Sequence, residues 1–147
     1  MTTLPKILVV DDDADTRNLL VCALEQQTFE VITAATGFEG LSTVMCETVD
    51  VVLLDALLPD IDGFECCRVM HRRLQQDCPP VLIVTGLSDE SSVNKAFNAR
   101  ATDFITKPVN LSVLCHRIKR VLRERQLFHE LADTNVRLQQ ISHTDDL

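Results

Sequence analysis

Val51-Val52-Leu53-Leu54-Asp55 is the stretch that decides the fold: an apolar run that stops at a carboxylate. Three other runs share its form. Ile7-Leu8-Val9-Val10 meets Asp11-Asp12-Asp13, Val81-Leu82-Ile83-Val84 meets Thr85, and Phe104-Ile105-Thr106 meets Lys107. Continuous Val/Ile/Leu runs, rather than alternating ones, suit strands buried on both faces. The predicted strands are 6–11, 30–34, 51–55, 81–85 and 103–106. Between them, apolar residues at spacings of three and four predict helices. These are 14–27 (Leu19, Leu20, Ala23, Leu24), 37–47 (Phe38, Leu41, Val44, Met45), 63–75 (Phe64, Cys67, Met70, Leu74) and 89–100 (Val93, Ala96, Phe97). Asp13, Asp62 and Asn110 are placed to cap helices, and Asp62 with Glu65 resembles a capping box. The βα alternation predicts an α/β fold: a doubly wound parallel sheet with right-handed crossovers and helices on both faces. The 30–34 strand, flanked by Glu30 and Thr33, reads as an edge. In such a sheet the carboxyl ends of the strands share one edge, where ligands bind.

The chain has 147 residues, enough for one domain and an appendage, and 46% hydrophobic residues, enough for a real core. Its net charge of −8 is uneven: −9 over residues 1–108 and +1 over 109–147. Nucleic acid is therefore not expected as a direct partner. The six cysteines, Cys22, Cys46, Cys66, Cys67, Cys78 and Cys115, contain no C-x-x-C pair. They read as buried thiols in a reducing compartment. His71, His116, His129 and His143 show no ligand spacing and read as surface residues. The first apolar run is short and meets three aspartates, so no signal peptide is expected. No stretch approaches the roughly 18 apolar residues of a membrane span. A cytoplasmic chain with no membrane contact is expected.

After Pro108 there is neither Gly nor Pro. Leu111, Leu114, Ile118 and Val121 form one helical stripe; Leu127, Leu131, Thr134, Leu138 and Ile141 form another. The two are out of register, which predicts a stutter or break near Arg123–Gln126. A continuous helix here would be about 50 Å long. It would have to leave the surface of a body whose radius of gyration is about 13 Å. The expected organisation is a domain over 1–125 and a linker helix over 126–147.

Gathering Asp11, Asp12 and Asp55 is costly. Two like charges about 4 Å apart repel by roughly 4 kcal/mol at an effective dielectric near 20. Either one carboxylate is protonated or a cation sits among them. All-oxygen ligands point to Mg²⁺ or Mn²⁺. Asp55 could then act as a nucleophile, because carboxylates attack phosphoryl groups to give acyl phosphates. Lys107 and Thr85 are the residue types that hold phosphoryl oxygens. The bland alternative is that each acid ends a strand and caps a loop, the preferred reading for Asp13 and Asp15.

The set Ile7-Leu8-Val9-Val10-Asp11-Asp12-Asp13, Leu53-Leu54-Asp55 with Pro59 and Asp62-Gly63, Val84-Thr85-Gly86 and Thr106-Lys107-Pro108 resembles the response-regulator receiver family. It covers residues 5 to about 125. The resemblance implies a CheY-like (flavodoxin-like) sheet of order 2-1-3-4-5 and phosphotransfer onto Asp55 from a sensor histidine kinase or phosphotransfer protein. It implies Asp11 and Asp12 at a Mg²⁺ site, Asp12 as the direct ligand, and Leu57 giving only its backbone carbonyl. It implies Lys107 and Thr85 on the phosphoryl group, Phe104 as a switch aromatic, and a cis Lys107-Pro108 bond. Two departures stand out. Arg100 replaces a frequent Gly, so a left-handed helix end there would strain the backbone by about 1 kcal/mol. Phe104 has no hydroxyl, and its alternative reading is a plain core residue.

The segment from Leu138 to Thr144-Asp145-Asp146-Leu147 resembles the opening of a GGDEF diguanylate cyclase domain, whose active-site motif is absent here. The expected role is an input switch rather than a self-contained enzyme. Phosphorylation would repack the 89–122 face, drive homodimerisation there and through the C-terminal helix, and control an output domain making cyclic di-GMP. Two alternatives are a phosphorylation-independent interaction module and a Mg²⁺-dependent phosphohydrolase using an aspartyl phosphate. The hydrolase needs a further acid as general acid/base, and Leu57 is apolar where a water-orienting group would sit.

Overall fold

The computed structural model describes residues 4–86 and 90–145. Five strands, β1 (Lys6–Val10), β2 (Glu30–Ala34), β3 (Val51–Asp55), β4 (Val81–Thr85) and β5 (Asp103–Thr106), form one parallel sheet of order β2-β1-β3-β4-β5. The expected topology is therefore the observed one, with β2 at an edge. β3 and β4 are buried at every position, as their unbroken apolar runs require.

The helices are α1 (Ala14–Gln26), α2 (Gly37–Cys46), α3 (Gly63–Leu74), α4 (Glu90–Asn98) and α5 (Leu111–Asp145), with a short 3-10 turn at Gln75–Asp77. Asp89, expected to open α4, lies outside the described residues, as do Asp146 and Leu147. The expected caps form. Asp13 accepts from Asp15 N at 3.2 Å and from the Thr16 hydroxyl at 2.8 Å. Asp62 accepts from Phe64 N at 2.8 Å, and Asn110 from Val113 N at 3.1 Å. Leu8, Val10, Val52, Leu54, Met70 and Ile83 belong to one buried cluster, with Phe104 partly buried against it.

The chain divides into two compact units, Met1–Cys115 and His116–Leu147. α5 runs unbroken through Arg123–Gln126, so of the expected stutter or break the break is not there. The four residues Arg-Glu-Arg-Gln are strong helix formers, and Arg120 Nε approaches Glu124 Oε1 at 4.0 Å one turn on. The apolar stripe changes phase within one helix.

Other expectations needed correction. Cys22 and Cys46 are exposed rather than buried, on the outer faces of α1 and α2, and no disulfide joins any of the six cysteines. Burial pushes the thiols of Cys66 and Cys67 up to about 12, which leaves them inert. Leu19, Phe38, Met45 and Phe97, counted in the helical stripes, are exposed. His71 is half-buried, and its Nε2 is shut from solvent without a hydrogen bond of good geometry. Among the described residues no helix is long and apolar enough to cross a membrane.

Candidate functional site

Each strand that matters to the site delivers its residue at its carboxyl end. β3 ends in Asp55, which is only 4% exposed. β1 leads into Asp11, buried, and Asp12, exposed. The carboxylates of Asp11, Asp12 and Asp55 each offer an oxygen within 4.8 Å of the others, so the three expected acids do converge. From β5, Lys107 Nζ reaches both Asp55 oxygens, at 3.2 and 3.1 Å. Its backbone N–H donates to Thr85 O at 2.8 Å, and the Lys107-Pro108 bond is cis. Thr85 is buried at the end of β4, aligned with Thr106.

The charges do not balance. Three carboxylates face one ammonium, in a site where two of the acids are buried. Asp11 responds accordingly: burial, then the charges of Asp55 and Asp12, raise its pKa against the lowering effects of the Asp13 N–H and Lys107. The Asp13 N–H donates to Asp11 Oδ1 at 2.9 Å. An excess of negative charge on hard oxygen donors suits a dication such as Mg²⁺.

The loop after β3 completes the site. Leu57 N donates to Asp55 Oδ1 at 3.0 Å, which holds one carboxylate oxygen, while the Leu57 side chain is 75% exposed. Gly63, at the start of α3, donates its N–H to Ala56 O at 3.0 Å. A Cβ at Gly63 would collide with the Asp55 carbonyl oxygen and stand 2.7 Å from Ala56 Cα, so only glycine allows this approach. Phe104 lies half-buried in β5.

One residue of the site escaped the sequence reading. Asp60 accepts from Gly37 N at 2.9 Å and Phe38 N at 2.8 Å, tying this loop to the start of α2. Slight burial works to raise its pKa, but those backbone N–H groups hold it below the usual carboxylate range. Nothing local signals this contact, which joins residues 23 apart.

Comparison with known proteins agrees with this geometry. Residues 7–119 match the model of the response regulator receiver domain. The transcriptional regulatory protein AfsQ1 of Streptomyces coelicolor is 38% identical over 120 residues, covering 82% of this chain and 52% of that protein. The alkaline phosphatase synthesis transcriptional regulatory protein PhoP of Bacillus subtilis is 35% identical over 122 residues, covering 83% and 50%. The chain thus spans about half the length of these curated relatives. Among solved structures, a CheY-like receiver domain protein from Methanospirillum hungatei superposes with a TM-score of 0.78 at 34% identity, covering 84% of this chain and 97% of that one. The Thermotoga maritima OmpR/PhoB homologue DrrB gives 0.75 at 39%, covering 83% and 54%. With its sheet order, its acidic edge and a family match over most of its length, the chain belongs to the response regulator receiver domain family.

Proposed function

We propose that residues 1–125 act as the phosphoacceptor receiver of a two-component response regulator, with Asp55 the acceptor. The observation that carries this reading is Asp55 itself. It is buried at a strand end, contacted through both oxygens by Lys107, and close to two further carboxylates. An Asp55 oxygen attacks the phosphorus of a phosphohistidine on a sensor histidine kinase or phosphotransfer protein. The O–P bond forms as the P–N bond breaks, leaving an acyl phosphate. Asp11, Asp12 and Asp55, with the Leu57 carbonyl, would hold Mg²⁺, or Mn²⁺ in its place; Asp12 is the direct ligand. When bound, the cation offsets charge on the carboxylates and on the phosphoryl oxygens.

Lys107 then moves its ion pair from the carboxylate to a phosphoryl oxygen, and the Thr85 hydroxyl bonds another. The Lys107 N–H bond to Thr85 O links the ends of β4 and β5, so the two groups shift together. Phe104, in β5, repacks as they move. This is a population shift between two arrangements of the 89–122 face, not catalytic turnover. Incubation with Mg²⁺ and acetyl phosphate tests the reading. Stable labelling that Asp55→Asn abolishes supports it, absence of labelling refutes it, and rapid multiple turnover points to a phosphohydrolase.

Residues 126–147 are proposed as the linker to an output domain, with homodimerisation through the 89–122 face and α5. Phe97 is 63% exposed, and Leu127, Phe128 and Leu131 are exposed on α5. Such surfaces favour self-association. For the output, the Leu138–Leu147 segment favours a diguanylate cyclase, which needs two facing active sites. A DNA-binding output is the second reading, favoured by the transcriptional role in the relatives' names. The likeness to those relatives covers about half their length, so it does not choose between the two. The −9 charge of residues 1–108 argues that DNA contact, if it occurs, lies outside the receiver. A cytoplasmic setting goes with this role. The residues encoded after Leu147 discriminate between the outputs.

A further inference from the structure

A second polar cleft stands at the other end of the sheet. Thr102 N donates to the carbonyl of Val81, the first residue of β4, at 2.8 Å. The α4–β5 connection therefore sits at the amino ends of the strands, opposite Asp55. There a cleft of about 320 Å³ is lined by Arg68, His71 and Arg72 of α3 and by Asn98, Ala99 and Arg100 at the end of α4.

Its charge is strongly positive. Glu65 is the counter-ion, 2.7 Å from Arg68 Nη1 and 3.6 Å from Arg72 Nη2. The lining itself holds three guanidiniums, those of Arg68, Arg72 and Arg100, and no carboxylate. Compensation of the α3 dipole accounts for basic residues in its last turns, such as Arg72. It does not account for Arg100, which lies beyond α4 at φ 65°. Arg100 is the left-handed residue of a Schellman turn: its N–H donates to Phe97 O and that of Ala101 to Ala96 O, both at 3.0 Å. Glycine would be relaxed there; arginine is strained, and its side chain lines the cleft. His71, in the same lining, lies half-buried against the Arg100 backbone, and its Nε2 is shut from solvent without a hydrogen bond of good geometry.

We propose that this cleft binds a small phosphorylated anion, its phosphoryl oxygens held by Arg72 and Arg100 and its remaining hydrogen-bonding capacity met by His71 Nε2. Guanidinium forks match phosphoryl oxygens, and a surplus of two positive charges matches a dianion. The volume exceeds a bare phosphate and leaves room for the group it esterifies.

The test is a titration of the full ¹⁵N-labelled chain with inorganic pyrophosphate in Mg²⁺-free buffer at constant ionic strength. Saturable shifts are expected at the amides of Ala99, Arg100 and Ala101 and at the His71 ring. Arg100→Gly, which relieves strain and so keeps the fold, and Arg72→Gln should each weaken binding about tenfold or more, while Asp55→Asn leaves it unchanged. Sulfate should compete. The proposal is overturned if no saturable shift occurs below about 10 mM. It is equally overturned if both arginine variants bind as tightly as the parent, or if succinate binds as well as pyrophosphate, which would mark a carboxylate site.

Discussion

Replacing Gly63 with alanine tests how the acceptor is held. The new Cβ would stand 2.7 Å from Ala56 Cα and 2.9 Å from the Asp55 carbonyl carbon, with the Asp55 oxygen closer still. Carbon atoms are comfortable at about 3.5–4.0 Å, so the start of α3 and the end of β3 must part by about 1 Å. No flexible side chain can yield instead, because all three contacts are backbone. The backbone is also pinned: Ala56 N donates to Val84 O at 2.9 Å, and Gly63 N to Ala56 O at 3.0 Å. Overpacking of this kind costs about 1–3 kcal/mol, and weakening a buried hydrogen bond adds about 1. The expected loss is thus about 2–4 kcal/mol, within the 5–15 kcal/mol typical of a small domain, so the variant should still fold.

The functional loss should be larger. Moving the Asp55 backbone by about 1 Å shifts its carboxylate against Lys107 and against the attacked phosphorus, which can cost about 100-fold in rate. The assays are urea unfolding followed by circular dichroism and initial rates of labelling by acetyl phosphate. Gly86→Ala is the control for stability, since a Cβ there meets nothing within 4 Å. If Gly63→Ala unfolds within about 0.5 kcal/mol of the parent and labels at the parental rate, the close approach does not position Asp55 and the reasoning is wrong.

Thr28 follows the C-cap Gln27 of α1 at φ 64°, where a β-branched residue is strained; Thr28→Gly should raise stability by about 1 kcal/mol in urea titrations. Asp60→Ala removes two acceptors from the start of α2, should cost about 1 kcal/mol, and should weaken Mg²⁺ binding measured by calorimetry because the Leu57 loop is loosened. Calorimetry is preferred because the chain has no Trp or Tyr to report binding. Burial depresses the pKa of His71 below its ordinary 6.5. The unfolded chain therefore takes up that proton first, and stability is lost as pH falls through 6.5 toward the folded value. Above that window His71 is neutral in both states and contributes no pH dependence. The stability of the parent relative to His71→Gln, in phosphate-free buffer, should fall between about pH 8 and pH 5.5; a flat difference would refute the burial argument.

The sheet was legible because strands buried on both faces leave unbroken apolar runs, and because the site residues lie at the points where those runs stop. Asp11, Asp55, Thr85 and Lys107 are each marked by local pattern alone. Contacts between segments were not. Asp60 reads as one more loop acid, and its hold on α2 exists only once the loop and helix are neighbours. Helical periodicity also overstates burial. Leu19, Phe38 and Phe97 keep helical spacing yet face out, since a helix on a sheet needs only one stripe and spacing cannot say where the stripe ends. At Arg123–Gln126 the phase of the apolar pattern changed while the intrinsic preference for helix did not, and preference decided the backbone.

The same residues bear on whether the site should turn over or store. A phosphohydrolase must orient water against the acyl phosphate, which takes a polar group beside the phosphorus. The residue two beyond Asp55 is Leu57, apolar and largely exposed, with its backbone N–H already committed to Asp55 Oδ1. Asp11 and Asp12 are the acids that cluster with Asp55 among the described residues, and their oxygens are the ones that would hold a cation offsetting their charge. A carboxylate serving a cation is a poor base for water. The loop, meanwhile, is anchored at both ends, by Asp55 Oδ1 to Leu57 and by Asp60 to α2. Such a site favours forming an acyl phosphate over hydrolysing it. On the function proposed above, a longer-lived phosphoryl group would give Lys107 and Thr85 time to hold the second arrangement of β4 and β5, and a signal needs that persistence.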